Sequence, residues 1–122
     1  MSRDHRKLRV FHEADALVAD VYRASRSFPQ DERFGLRGQI RRAAVSAVCN
    51  IVEGSARQSE GEYLHFLNIA TGSAAEVEYL FPLAVRLGFV SRTEGEPIAR
   101  RYAGLSSALR AMIRALEKPR RA

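Results

Sequence analysis

Gln39, Arg42, Ser46, Asn50 and Glu53 follow one another at spacings of 3, 4, 4 and 3, which places them in a narrow polar line along one side of an α-helix. Arg42, Asn50 and Glu53 are strong hydrogen-bonding groups, and Ser46 is small enough to let another backbone come close. Ser73 and Glu76 lie one turn apart further along the chain. If the two sets face each other, they make a buried polar network, which is costly unless every member is satisfied and which fixes helix register or subunit geometry. The alternative is a pocket for a ligand or a nucleic acid. General acid–base catalysis by Glu53 and Glu76 would need a pocket and shifted pKa values, and the sequence supplies neither.

Near the other end, Arg100, Arg110, Arg114 and Lys118 fall close together on a helical wheel, opposite an apolar seam. A basic line of this kind tracks phosphates, or it is the solvated face that every amphipathic helix has. Arg41 and Arg42 form a second basic cluster. Of 20 basic residues all but Lys7 and Lys118 are Arg. Arg suits bidentate phosphate or carboxylate contacts, although a codon bias toward Arg gives the same count. Net charge is +3 over residues 1–10, +1 over 11–57, −4 over 58–96 and +6 over 97–122. Two basic ends around an acidic quarter suit an anionic partner or head-to-tail contacts between subunits.

Other chemistry finds little support. His5, His12 and His65 are scattered, and no spacing resembles a metal site, so neither a metal nor another cofactor is expected. The single Cys49 excludes an internal disulfide framework; inside a helical apolar run it reads as a small packing residue. The Ser and Thr residues lack a triad context, and Gly35, Gly38, Gly54 and Gly61 form no phosphate-binding loop. Arg6 and His12 only loosely mimic the Arg-x-His motif of small helical RNases. Tyr22, Tyr63, Tyr79 and Tyr102 sit mostly at seam positions, which favours core packing over base stacking. The expectation is a protein that is not an enzyme.

A chain of 122 residues with 46% apolar content is one domain with one core. No apolar run approaches the ~20 residues that span a bilayer, and MSRDHRKLRV leads into an amphipathic pattern instead of a signal-peptide core. A cytoplasmic protein without a membrane role is expected. Apolar periodicity predicts four helices, at about 11–27, 32–53, 60–87 and 95–117, between basic ends 1–10 and 118–122. Phe28-Pro29 ends the first, Asp31 or a neighbour caps the second, Gly54 stops it, and Ser59 with Glu62 starts the third as a capping box. Pro82 should kink the third helix, and Gly72 should weaken it. The fourth carries a strict heptad seam of Ile98, Tyr102, Leu105, Leu109, Met112 and Leu116. Short connections then predict an all-α, antiparallel up-down-up-down four-helix bundle. The second and third helices are apolar over about half their circumference, wider than a bundle core needs. The excess predicts a further contact, most simply with another copy of the chain.

The runs FPQDERFGLRGQIRRAAVSAVCNIVEGSARQS and EYLHFLNIATGSAAEVEYL resemble the four-helix bundle protein family. That family includes proteins encoded in intervening sequences of bacterial large-subunit ribosomal RNA, once described as an S23 ribosomal protein. It is related to the accessory variability protein of diversity-generating retroelements. By similarity, Glu32, Leu36, Gln39, Arg41, Arg42, Ser46, Asn50, Glu53 and Gly54 match its signature on the second helix. Phe66, Leu67, Ala70, Gly72, Ser73 and Glu76 match it on the third, whereas Pro82 is not part of the pattern. The resemblance implies an antiparallel bundle assembled into a homopentameric ring. The retroelement relatives are associated with reverse transcriptase and nucleic acid through a basic barrel surface, which implies RNA or DNA as a partner; the alternative to that reading is a protein-interaction scaffold that binds a protein partner and touches no nucleic acid.

Overall fold

The computed structural model describes residues 3–118, which form four α-helices and no strand: α1 (Arg9–Ala24), α2 (Leu36–Ser55), α3 (Glu60–Arg86) and α4 (Arg92–Glu117). Single 3-10 turns at His5–Lys7, Ser25–Ser27 and Gln30–Glu32 precede or join them. Caps explain most of the boundaries. Ser59 Oγ accepts the Glu62 N–H at 3.1 Å and donates to Glu62 Oε1 at 3.1 Å, so two polar groups at the start of α3 satisfy each other. Ser91 Oγ accepts the Glu94 N–H at 3.2 Å and starts α4 at Arg92, ahead of the expected position. α2 starts later than expected, because Gln30–Glu32 winds as a 3-10 turn. Glu32, and not Asp31, then reaches forward, its Oε1 accepting the Leu36 N–H at 2.8 Å. Phe28 is extended, with φ −66 and ψ 148, as the following proline requires.

The end of α3 is set by Gly88 at φ 78. Its N–H bonds the Val85 carbonyl, and the Phe89 N–H bonds that of Ala84, each at 3.0 Å. These two bonds satisfy carbonyls that the helix end would leave bare, in a left-handed conformation that favours glycine. Gly54 does something else. α2 runs through it to Ser55, so it is not a stop. A Cβ there would lie 2.9 Å from Phe66 Cβ and 3.2 Å from Tyr63 Cδ1, and the absent side chain lets α2 and α3 approach. Pro82 lies within a helix that continues to Arg86.

The helices pack in a cycle, α1 on α2, α2 on α3, α3 on α4 and α4 back on α1, with α3 at the most extensive contacts. Early residues of α2 meet late residues of α3: Gln39 meets Glu76, Ser46 meets Ser73, and Gly54 meets Phe66. Leu17, Val21, Ile40, Ile51, Leu67, Val77, Phe81, Tyr102, Leu105 and Leu109 are fully buried between them. Three packing expectations change. On α4, Ile113 is buried while Met112 and Leu116 are only partly so, because a straight helix of 3.6 residues per turn drifts off a strict heptad. Tyr22 is 40% exposed and Tyr79 59%, so neither is a core residue. Cys49 is exposed as well, since it falls beyond the edge of the buried arc of α2.

Two glycine substitutions separate these roles. Nothing lies within 4 Å of a Cβ at Gly72, so Gly72→Ala is expected to stabilise the bundle by roughly 1 kcal/mol. Gly54→Ala is expected to destabilise it by roughly 1–3 kcal/mol through overpacking. Urea melts of both variants check this, and a stabilised Gly54→Ala protein would show that α2 and α3 do not depend on contact at that point.

Candidate functional site

The polar line of α2 and its counterpart on α3 meet along the outer rim of the α2–α3 contact. Gln39 Nε2 donates to Glu76 Oε2 at 3.1 Å. Ser46 Oγ and Ser73 Oγ share a bond of 2.8 Å. Asn50 Nδ2 donates to the Ser46 carbonyl at 2.8 Å and to Ser46 Oγ at 3.1 Å. Gln39 and Glu76 are exposed, and Ser46, Asn50 and Ser73 are half-buried, so the expected buried network is in fact a surface rim. Each such bond contributes about 0.5–1.5 kcal/mol at most. Two members stand outside it. Glu53 pairs with Arg57 at 3.2 Å, one turn away on its own side of the connection, and the exposed Arg42 has no ion pair among the described residues. Because Glu76 sits beside Gln39, it is about 20 Å along the helix axis from Glu53. Those two carboxylates cannot serve one reacting centre.

Apolar side chains flank this rim. Val45 on α2 is 37% exposed and Ile69 on α3 is 39% exposed. Between them and the end of α2, Val48, Cys49, Asn50, Val52, Glu53, Ala56 and Phe66 line an open depression of about 460 Å³. Among the described residues no group of three or more His, Cys, Asp or Glu is placed to hold a metal ion. No described helix is long and apolar enough to cross a membrane.

Arg100, Arg110 and Arg114 on α4 are exposed, as is Lys118, which follows the helix end at Glu117 in extended backbone (φ −60, ψ 134), and none of the four has a carboxylate within 4.0 Å among the described residues. Their neighbour Arg101 turns the other way. Its Nε donates to Glu13 at 3.1 Å and an Nη donates to Asp20 at 2.7 Å, which clamps α4 to α1. Burial opposes its charge, but the bonds to Asp20 and Glu13 outweigh that and hold the guanidinium above its ordinary range. Arg41 and Arg42 do not act as one basic cluster, since successive residues point about 100° apart around a helix. Arg41 Nε donates to Ser25 Oγ at 2.8 Å and an Nη donates to the Tyr22 carbonyl at 3.2 Å, fastening α2 to the end of α1. Arg120 and Arg121 of the basic end lie outside the described residues.

The sequence placed Arg100 and not Arg101 on the basic line, as the structure does, but it grouped Arg41 with Arg42 as one cluster. Helical phase offers the only signal for either pair. The loose Arg6–His12 pair is a local turn: His12 Nε2 lies 2.6 Å from the Arg6 carbonyl oxygen, and the Arg6 guanidinium faces Asp4 at 2.9 Å.

Two phenols are also placed unexpectedly. Tyr63 and Tyr102 are buried, and neither Oη has a hydrogen-bond partner among the described residues. Burial pushes both phenols above the ordinary tyrosine range, and at Tyr102 the carboxylate of Asp20 adds to it. With the folded value raised, their contribution to stability is whole below the pH at which free tyrosine ionises, about 10, and is lost as pH rises beyond it. Stability from urea melts is therefore expected to decline above about pH 10, and to decline less in Tyr102→Phe. A decline of unchanged steepness in that variant would assign the loss to other groups.

Residues 6–111 match the family model described as 23S rRNA-intervening sequence protein. Among solved structures, the chain is similar to a protein of unknown function from the S23 ribosomal protein family of Bacteroides thetaiotaomicron. The two share 25% identity and a TM-score of 0.78, over 85% of this chain and 97% of that one. Among curated proteins none matches.

Proposed function

Given that the chain belongs to the 23S rRNA-intervening sequence protein family, we propose that it is a non-enzymatic helical-bundle protein that assembles with copies of itself and binds RNA or DNA through arginine-rich surfaces. The observation that carries this reading is the line of Arg100, Arg110, Arg114 and Lys118 on α4, exposed and without carboxylate partners. Arg110 and Arg114 lie about 6 Å apart along the helix axis and Lys118 follows at the C-cap, a run of cations that neutralises phosphates without reading bases. Arg42 adds a lone exposed cation on the α2 side. The helix order is that of an antiparallel up-down-up-down bundle, supported by the descending contacts of α2 with α3. The proposed setting is the cytoplasm.

Self-assembly is supported by the apolar flank of the α2–α3 rim, where Val45, Cys49 and Ile69 lie exposed beside a partly buried Phe66. The rim would lend polar register to an interface whose area is apolar. A ring of such subunits repeats the α4 line around its circumference, which multiplies weak phosphate contacts. A second reading, a scaffold for a protein partner, draws on Phe34, 81% exposed at the turn before α2. Aromatic side chains are enriched at the buried centre of protein–protein interfaces.

Binding of nuclease-treated protein to labelled RNA and duplex DNA across a salt series tests the proposal. Charge reversal at Arg110 and Arg114 is expected to weaken binding and to reduce the slope of log K against log salt by about two, with helicity retained. Unchanged binding in that double variant removes the α4 line, and no binding by the native protein at low salt favours the scaffold. Light scattering addresses assembly separately. The native chain is expected to be oligomeric and Ile69→Glu to be smaller, whereas a monomeric native chain would leave the apolar flank without the role assigned to it.

A further inference from the structure

Where α1 ends against α2, positive charge gathers with no carboxylate to balance it. Arg41 anchors this corner through its bonds to Ser25 Oγ and the Tyr22 carbonyl, and its guanidinium carbon lies 4.4 Å above the Tyr22 ring. Those bonds leave other N–H groups of the guanidinium free. Arg37 lies one turn earlier on the same side of α2, and Arg26 directly follows Ser25 in the 3-10 turn that Arg41 grips. Neither Arg26, Arg37 nor Arg41 has an ion pair among the described residues. Burial first, and then the charges of Arg37 and Arg26, push the Arg41 guanidinium below its ordinary range. Like charges crowded in this way repel in the empty corner and become favourable once an oxyanion lies among them.

Tyr22 decides which anion. Tyr22 is 40% exposed, with the Arg41 guanidinium over one face of its ring, so part of the aromatic surface at this corner meets solvent. A free phosphate would have no use for that ring. A duplex offers phosphates but keeps its base faces stacked inside. A single strand offers both a phosphate and an unstacked base. The α4 helix offers charge but no exposed aromatic of its own, since its one aromatic residue, Tyr102, is buried. The two surfaces thus differ in kind.

Resting on the reading that this protein binds nucleic acid, we infer that Arg26, Arg37 and Arg41 hold one backbone phosphate of a single-stranded RNA or DNA while Tyr22 stacks the adjoining base. Arg41 is the fixed member, held by α1, and Arg26 and Arg37 are the adjustable ones. The corner gives the protein a preference for unpaired strands that the α4 line cannot give.

The test uses the full chain, nuclease-treated, with a short labelled single-stranded RNA, the matching single-stranded DNA and the matching DNA duplex. Arg41 is left intact because it joins α1 to α2. Tyr22→Leu is expected to weaken binding of both single strands about fivefold or more and to leave duplex binding unchanged, while Tyr22→Phe, which keeps the ring, binds as the native protein does. The double variant Arg26→Gln with Arg37→Gln, at sites outside the core, is expected to weaken single-strand binding about tenfold. RNA and DNA strands that lose equally show that the 2′-hydroxyl is not read. Equal loss on duplex and single strand in Tyr22→Leu overturns the stacking. Native single-strand binding in the double Gln variant overturns the site while the α4 reading stands. A native protein that binds none of the three probes overturns both, and Tyr22→Leu protein that fails to fold leaves the double Gln variant to decide.

Discussion

The close approach of α2 and α3 at Gly54 is the constraint from which the outer face follows. With no Cβ between them, the backbone of α2 lies against Phe66 and Tyr63, and two helices held that near at one end stay within side-chain reach along their length. Only at this separation can two hydroxyls as short as those of Ser46 and Ser73 meet at 2.8 Å. Longer side chains, Gln39 and Glu76, close the gap further along. Small residue, small hydroxyls and then amide with carboxylate form a graded series from one end of the contact to the other.

Because this rim is satisfied within the chain, it adds specificity at little cost. Its hydrogen bonds are exposed enough to exchange with water, so their net contribution is modest, but a shift of α2 by one turn would leave every partner mismatched. Apolar groups beside the rim are then presented in a fixed pattern, which a repeated interface between copies requires. On the opposite side of the molecule the clamp of Arg101 on Glu13 and Asp20 closes the cycle of helices by charge, where α1 and α4 pack less extensively than α3 does with its neighbours.

The four helices and the family were legible in the sequence because both rest on local patterns: apolar spacing, a Ser59 cap, and the long runs around Arg42 and Phe66. What the sequence concealed is what depends on a second helix. Gly54 looks like a helix stop to any reading of one segment, and only the nearness of α3 shows why the helix passes through it. Glu32 looks like a favourable charge at a helix start, and only the intervening 3-10 turn makes it a cap at a distance. Arg41 and Arg42 look equivalent, yet one faces α1 and is committed while the other faces solvent. Cys49 and Tyr22 fall at the edge of a stripe, where a shift of some tens of degrees decides between burial and exposure.

The basic line on α4 has a chemical permanence that its position alone does not convey. Three of its four members are guanidinium groups, which carry no amine for acetylation to neutralise. Lys118 is the one member of that line open to such chemistry. Acetylation can therefore remove at most one of the four charges, and a surface built this way has no acetylation-operated off state. Its attraction for anions is constitutive, and the surrounding ionic strength sets how far it is felt.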